Sequence, residues 1–304
     1  MLNLSALELD RSLAAIRGHG YGDFFPEPPE MALLVANWAQ IRAELARVDL
    51  DLYEGHDVTF SFAPKSRLNV RRVALLHPYD LVFYTALVLV LRNGITAARL
   101  QLGAERVFSY RADTAGAEML YVDPPGYRDF TEAIARRVGG NPNAYVGITD
   151  IADFYARIYQ HRLVNALQAA CGTALNGYIR VLEKMLSRFS ENVSYGIPIG
   201  PPASRPLAEA ILIDTDSTLL SFDVDFFRFT DDYVIFAETP EDAEYGIRVL
   251  GETLFMNHGL TVANGEDENS QGRRICRALF DDSLCKRGRT PEVARPCRRL
   301  RRSR

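Results

Sequence analysis

The chain of 304 residues carries 35 Lys and Arg against 39 Asp and Glu, a formal charge of −4, and is 47% hydrophobic, enough to bury one large or two modest cores. Cys171, Cys276, Cys285 and Cys297 show no paired C-x-x-C spacing, so neither a zinc site nor a disulfide framework is indicated. The longest apolar run, Leu81 to Leu91, is 11 residues and short of a bilayer span, and the N-terminus has no basic-then-apolar leader, so a cytoplasmic protein without a membrane anchor is expected.

In chain order, residues 1 to 55 read as mainly helical, with an amphipathic stretch from Ala32 to Val48 after the Pro-rich break at Pro26 to Pro29. Val58 to Phe62 and Val70 to Leu76 have strand composition, and Leu81 to Leu100 predicts a buried helix. Phe108-Ser-Tyr-Arg111 reads more readily as ordinary strand than as a motif of a known family. Tyr145 to Asp150 predicts a strand that ends in a carboxylate, and Phe154, Ile158 and Leu163 approximate helical spacing beyond it. Ile158 to Ser190 is largely helical. Tyr195 to Leu207 is a Gly/Pro loop, whose glycines either let backbone approach a ligand or simply connect two elements. Pro240 to His258 predicts a helix begun by Thr-Pro-Glu-Asp. No internal repeat or low-complexity segment is visible.

The most informative stretch is Phe226 to Ala237, Phe-Phe-Arg-Phe-Thr-Asp-Asp-Tyr-Val-Ile-Phe-Ala, which places two carboxylates on the turn between two strand-like runs. Adjacent carboxylates repel, and holding them together requires exposure or a cation, for which a divalent metal is the natural candidate. Asp281-Asp282 repeats the dipeptide, but no apolar strand follows it. A lone Asp at the position of Asp150 is more often a helix N-cap or a solvated charge.

Taken together, the strand ending in Asp150-Ile-x-x-Phe-Tyr, then Gly196-Ile-Pro-Ile-Gly200-x-x-x-Ser204, then Phe-Thr-Asp231-Asp232 between strands resemble the palm of a reverse transcriptase. Ala63-Pro64-Lys65-Ser66, Arg71-Arg72-Val73-Ala74-Leu75 and His77-Pro78-Tyr79-Asp80 resemble the fingers motifs of the same family, and the resemblance covers about residues 60 to 262. It implies an α+β right-hand polymerase: an antiparallel palm sheet with helices, helical fingers, and a thumb missing or truncated. The expected organisation is 1–140 fingers and N-terminal helices, 141–264 palm, and 265–304 an Arg-rich tail read as disordered or as a frameshift or truncation product.

The activity so implied is RNA-directed DNA polymerisation by two-metal nucleotidyl transfer. Asp150, Asp231 and Asp232 are the catalytic carboxylates, and Asp150, Ile151, Asp231 and Asp232 the ligands of two Mg2+, for which Mn2+ can substitute. Eighty-one positions separate Asp150 from Asp231, so the fold must bring their strands side by side. Lys65, Arg71, Arg72, Asp153, Phe154, Tyr155, Gly200 and Ser204 are the implied nucleotide-binding set. Tyr155 stands where the family excludes the ribose 2′ hydroxyl, and Arg71 and Arg72 point to opposite faces if their segment is a strand, so only one reaches the nucleotide. Implied partners are deoxynucleoside triphosphates and an RNA or DNA template-primer, including a non-coding RNA.

Two departures refine this. Ile199 replaces the common Gln and cannot donate a hydrogen bond, a pattern resembling bacterial abortive-infection and defence-associated reverse transcriptases, some of which extend DNA with little template guidance. Gly265-Glu-Asp-Glu268 stands where a Lys is expected after Gly259-Leu-Thr-Val-Ala-Asn264. A retron or group II intron enzyme and an inactive nucleic-acid-binding scaffold are the alternatives. Residues 271–304 hold 12 of the basic and 3 of the acidic side chains, so residues 1–270 are strongly acidic, with 23 basic against 36 acidic groups. An acidic body is an unexpected partner for a polyanion, and the basic tail is the natural source of phosphate contacts.

Overall fold

A Ser5–Glu8 capping box starts the first helix: Glu8 N–H donates to Ser5 Oγ at 3.2 Å, and Ser5 N–H donates to the Glu8 carboxylate at 2.7 Å. The computed structural model describes residues 2–65, 69–100, 105–112, 119–122, 126–141, 144–263 and 274–277. Helices α1 (Ala6–His19), α2 (Pro29–Ala36) and α3 (Trp38–Leu45) precede the antiparallel hairpin β1 (Thr59–Pro64) and β2 (Val70–Leu75), with Thr59 opposite Leu75. Then come α4 (Pro78–Leu100), α5 (Tyr127–Gly140), β3 (Tyr145–Asp150), α6 (Phe154–Arg157), α7 (Gln160–Cys171), α8 (Asn176–Phe189), α9 (Ser204–Ile211) and α10 (Ile213–Ser221). Strands β4 (Asp225–Phe229) and β5 (Asp232–Ala237), helix α11 (Pro240–Thr253) with a π-helical turn Leu254–His258, and β6 (Arg274–Arg277) complete the described elements.

The second sheet has the order β4-β5-β3-β6, each pair antiparallel. Alternation along β4 sends Phe226 and Arg228 into the main core and Phe227 and Phe229 toward α5, where Phe130 and Val138 cover the other face with Val146, Val234 and Phe236. The main core runs from Leu4 to Val262, so helices α1 to α4 and the sheet share one interior. At its centre lies α4, long and apolar enough to cross a bilayer, yet mostly buried inside the protein: Val82, Phe83, Tyr84, Leu87 and Val88 are fully enclosed. This is an α+β fold with two antiparallel sheets.

Two readings are corrected. The helical spacing of Phe154, Ile158 and Leu163 does not give one helix, because the chain is extended between α6 and α7. There Ile158 accepts from Gly196 N–H at 2.8 Å, Tyr159 bridges Tyr195, and the buried Gln160 amide bonds the carbonyls of Leu186 and Gly196. Phe108 to Arg111 is not strand: pairing is limited to a bridge between Val107 and Arg228, after which Tyr110 adopts φ +43°. Arg274–Arg277, within 265–304, pairs with β3 at the sheet edge. Gly265 to Glu268 and the rest of the tail lie outside the described residues.

Candidate active site

Antiparallel pairing of β3 with β5 sets Asp150 directly opposite Asp232, and Asp231 occupies the turn before β5. The register is fixed by buried faces on both sides, since a one-residue slip would exchange Val146 and Val234 with the opposite face of the sheet. Backbone bonds lock the carboxylate end: Ile151 N–H donates to Asp231 carbonyl at 3.1 Å, and Ala263 N–H donates to Asp150 carbonyl at 2.8 Å. The side chain of Ile151 is core, so its backbone carbonyl is its one group suited to a cation.

The carboxylates have no side-chain partners among the described residues, and Asp150 Oδ1 is buried without a hydrogen bond. Burial is the main cause that raises all three above the ordinary carboxylate range, with Lys65 opposing it at Asp150. Asp231 and Asp232 repel each other and Asp150, and the pair releases its protons at about 6 and about 8 rather than near 4. Carboxylate oxygens gathered at one end of the sheet suit hard divalent cations, whose charge would reduce the cost of ionising them.

A second cluster, His56, His77 and Asp80, brings ligand atoms within 4.8 Å of one another but is unsuited to a metal. The two rings stack 3.5 Å apart at 14°, so their in-plane lone pairs run alongside rather than converge. Asp80 is already taken by Arg188 at 2.7 Å and by the His56 N–H at 2.9 Å. This explains the His-Pro-Tyr-Asp motif structurally: Asp80 pins the start of α4 to α8.

The residues expected to bind nucleotide divide. Lys65 reaches across from the β1–β2 hairpin to donate to Asp153 at 3.0 Å, and its charge with that of Arg71 stabilises ionised Asp231. Arg72 points elsewhere, bonded to Glu191 at 2.5 Å and stacked over Phe60. Asp153, the residue before α6, has left-handed φ +48°. Tyr155 is half-buried beside Tyr110 and Asp231, whereas Phe154 is packed in the core. Ser204 is also withdrawn: its buried hydroxyl donates to Pro198 carbonyl at 2.6 Å and bonds Tyr84 at 2.9 Å. Gly200, at φ +125°, allows its loop to pass β2; a Cβ there would stand 3.3 Å from the Ala74 carbonyl.

A telomerase structure from Candida albicans, in complex with a fragment of telomeric RNA, superposes with TM-score 0.51 at 12% identity over 75% of this chain and 42% of that one. The chain has a reverse-transcriptase-like fold. Two apo telomerase structures from Candida tropicalis are similar at TM-score 0.49, with 14% and 12% identity, covering 79% and 82% of this chain and 56% and 49% of theirs. The chain thus spans about half the length of these telomerases. No family model and no curated protein matches it.

Under the Asp231 turn lies an ionic network absent from the sequence-predicted set. Arg228, fully buried on β4, donates from Nε to Asp216 at 2.9 Å, from Nη2 to Asp216 at 2.6 Å, and from Nη1 to Glu209 at 3.0 Å. Arg99 pairs with Glu209 at 3.0 Å, and Tyr233 donates to Asp216 at 3.0 Å. Two buried cations thereby face two buried anions. The signal was an arginine on the inward face of an aromatic strand, which demands acidic partners within the core.

Proposed function

We propose that this chain is a nucleotidyltransferase of the reverse-transcriptase type, adding deoxynucleotides to a nucleic-acid 3′ end. The observation that carries the proposal is the pairing of Asp150 with Asp232 beside Asp231, which sets a carboxylate from 81 positions before Asp231 against an adjacent pair, none of the three holding a side-chain hydrogen bond or ion pair among the described residues.

Asp150, Asp231 and Asp232 would hold two Mg2+, with Ile151 offering its carbonyl. When bound, such ions stabilise negative charge on the attacking and departing oxygens. Lys65 and Arg71 attract the incoming triphosphate, Lys as a point charge and Arg as a planar fork. The α6 turn holds the sugar, where the Tyr155 ring takes the volume that a 2′ hydroxyl would need. Arg72, Phe154 and Ser204 shape the scaffold instead. The RNA in the Candida albicans telomerase complex supports nucleic acid as the partner class.

A role in anti-phage defence is the biological reading we attach to this chemistry. It rests on Ile199 within Gly196-Ile-Pro-Ile-Gly200, whose apolar side chain offers no hydrogen bond to a template base.

Incorporation of labelled deoxynucleotide onto primed and unprimed DNA and RNA tests the activity. Wild type should incorporate and Asp231→Asn should not; equal signal from both would refute the site, and its absence from both would favour the inactive-scaffold reading.

A further inference from the structure

Thr230, the residue before Asp231, has left-handed backbone, φ +56°, a conformation that a β-branched residue adopts only under constraint. Both of its peptide groups are held by buried side chains. Its N–H donates to Ser109 Oγ at 3.0 Å, and its carbonyl accepts from Arg228 Nη1 at 2.9 Å. Ser109 Oγ in turn donates to Glu209 Oε1 at 2.6 Å, while Arg99 Nη2 donates to the Ser109 carbonyl at 2.6 Å.

From this geometry we infer that Ser109 and Arg228 are positioning residues of the catalytic turn, clamping Thr230 so that the Asp231 carboxylate meets Asp150. The inference rests on the proposed nucleotidyltransferase site and adds to it a part of the chain, Phe108 to Tyr110, that holds none of the site residues expected from sequence. Two features favour a positioning role over general core packing. The bonds end on the backbone of the turn residue that precedes Asp231, and they come from two separate elements, one from the segment after α4 and one from β4. Second, each anchor is itself immobilised: Arg228 by three bonds to Asp216 and one to Glu209, Glu209 by Ser109 and Arg99 as well. A turn held this way keeps its oxygens in place while like charges push them apart, which is the condition under which small displacements become costly in rate.

The test uses the full chain carrying Ser109→Ala, which removes the acceptor for Thr230 N–H, with Ser109→Thr restoring a hydroxyl and Arg228→Lys keeping charge while losing the fork. Each is assayed for deoxynucleotide incorporation and Mn2+ affinity well below its measured unfolding temperature. The clamp predicts that folded Ser109→Ala loses about tenfold to a hundredfold in kcat, with KM for the nucleotide unchanged and Mn2+ bound several-fold more weakly, and that Ser109→Thr recovers part of the loss. Wild-type kcat and Mn2+ affinity in folded Ser109→Ala and Arg228→Lys, or losses matching the unfolded fraction, would overturn the clamp while leaving the carboxylate site intact. If wild type itself neither binds Mn2+ nor incorporates nucleotide, the underlying site reading fails instead.

Discussion

Lys65 Nζ donates to Asp153 Oδ1 at 3.0 Å across 88 positions of sequence, linking the tip of the β1–β2 hairpin to the start of α6 beside the three carboxylates. Both side chains are substantially exposed, so the pair contributes at most about 1 kcal/mol to stability. Its place at the mouth of the site points to a role in binding instead. Lys65→Ala should leave the thermal midpoint nearly unchanged and raise the nucleotide KM by about tenfold, the loss of one charge-assisted phosphate contact. Steady-state kinetics beside a melting curve checks both halves.

Tyr155 adjoins Tyr110 and Asp231, and burial raises its hydroxyl well above the ordinary tyrosine value, so the ring stays neutral throughout the working range. It acts as volume rather than charge. Tyr155→Ala should therefore improve ribonucleotide incorporation relative to deoxynucleotide by about tenfold or more, with less effect on deoxynucleotide use. A ratio equal to that of wild type would remove the residue from sugar selection.

The carboxylates also make stability depend on pH in an unusual direction. Folding raises the protonation midpoints of Asp231 and Asp232, so between the ordinary carboxylate range near 4 and the folded values of about 6 and about 8 the native state holds more protons than the unfolded chain. The site's contribution is therefore fully present below about 4 and is lost as pH rises toward 8. Melts of metal-free protein should show this decline, Asp232→Asn should flatten it, and Mn2+ should stabilise the protein more at pH 8 than at pH 5. An unchanged slope in Asp232→Asn would show that the decline arises elsewhere.

The buried network gives a sharper stability prediction. Arg228→Met leaves Asp216 in the core without its cation and should cost about 3–5 kcal/mol, the range for breaking a buried ion pair from one side. Adding Asp216→Leu should recover part of the loss, because the remaining Glu209 keeps Arg99 as its partner. Denaturant titration of the single and double variants would detect the difference.

The fold was legible where a local period or a punctuating residue carries it. The hairpin around Asp231, the strand ending at Asp150, the β1–β2 pair and the apolar α4 follow from alternation, apolar runs and turn residues. The site was legible in part for the same reason, since strand ends place Asp150 and Asp232. What sequence pattern missed depends on non-local bonding. Ser204 and Phe154 sit in motif positions but face the core, because Tyr84 and the Pro198 carbonyl claim the serine hydroxyl. Ile158 breaks its helix to accept from Gly196, and Ser109 gains its role from Thr230 and Glu209, residues about a hundred positions away.

The central claim is that Asp150, Asp231 and Asp232 share divalent cations. Anomalous scattering from crystals soaked with Mn2+ and a deoxynucleoside triphosphate tests it most directly. Density among these three side chains, lost in Asp231→Asn, is the predicted result. Absence of density there in a wild-type crystal with ordered triphosphate, or density unaffected by the substitution, would contradict it.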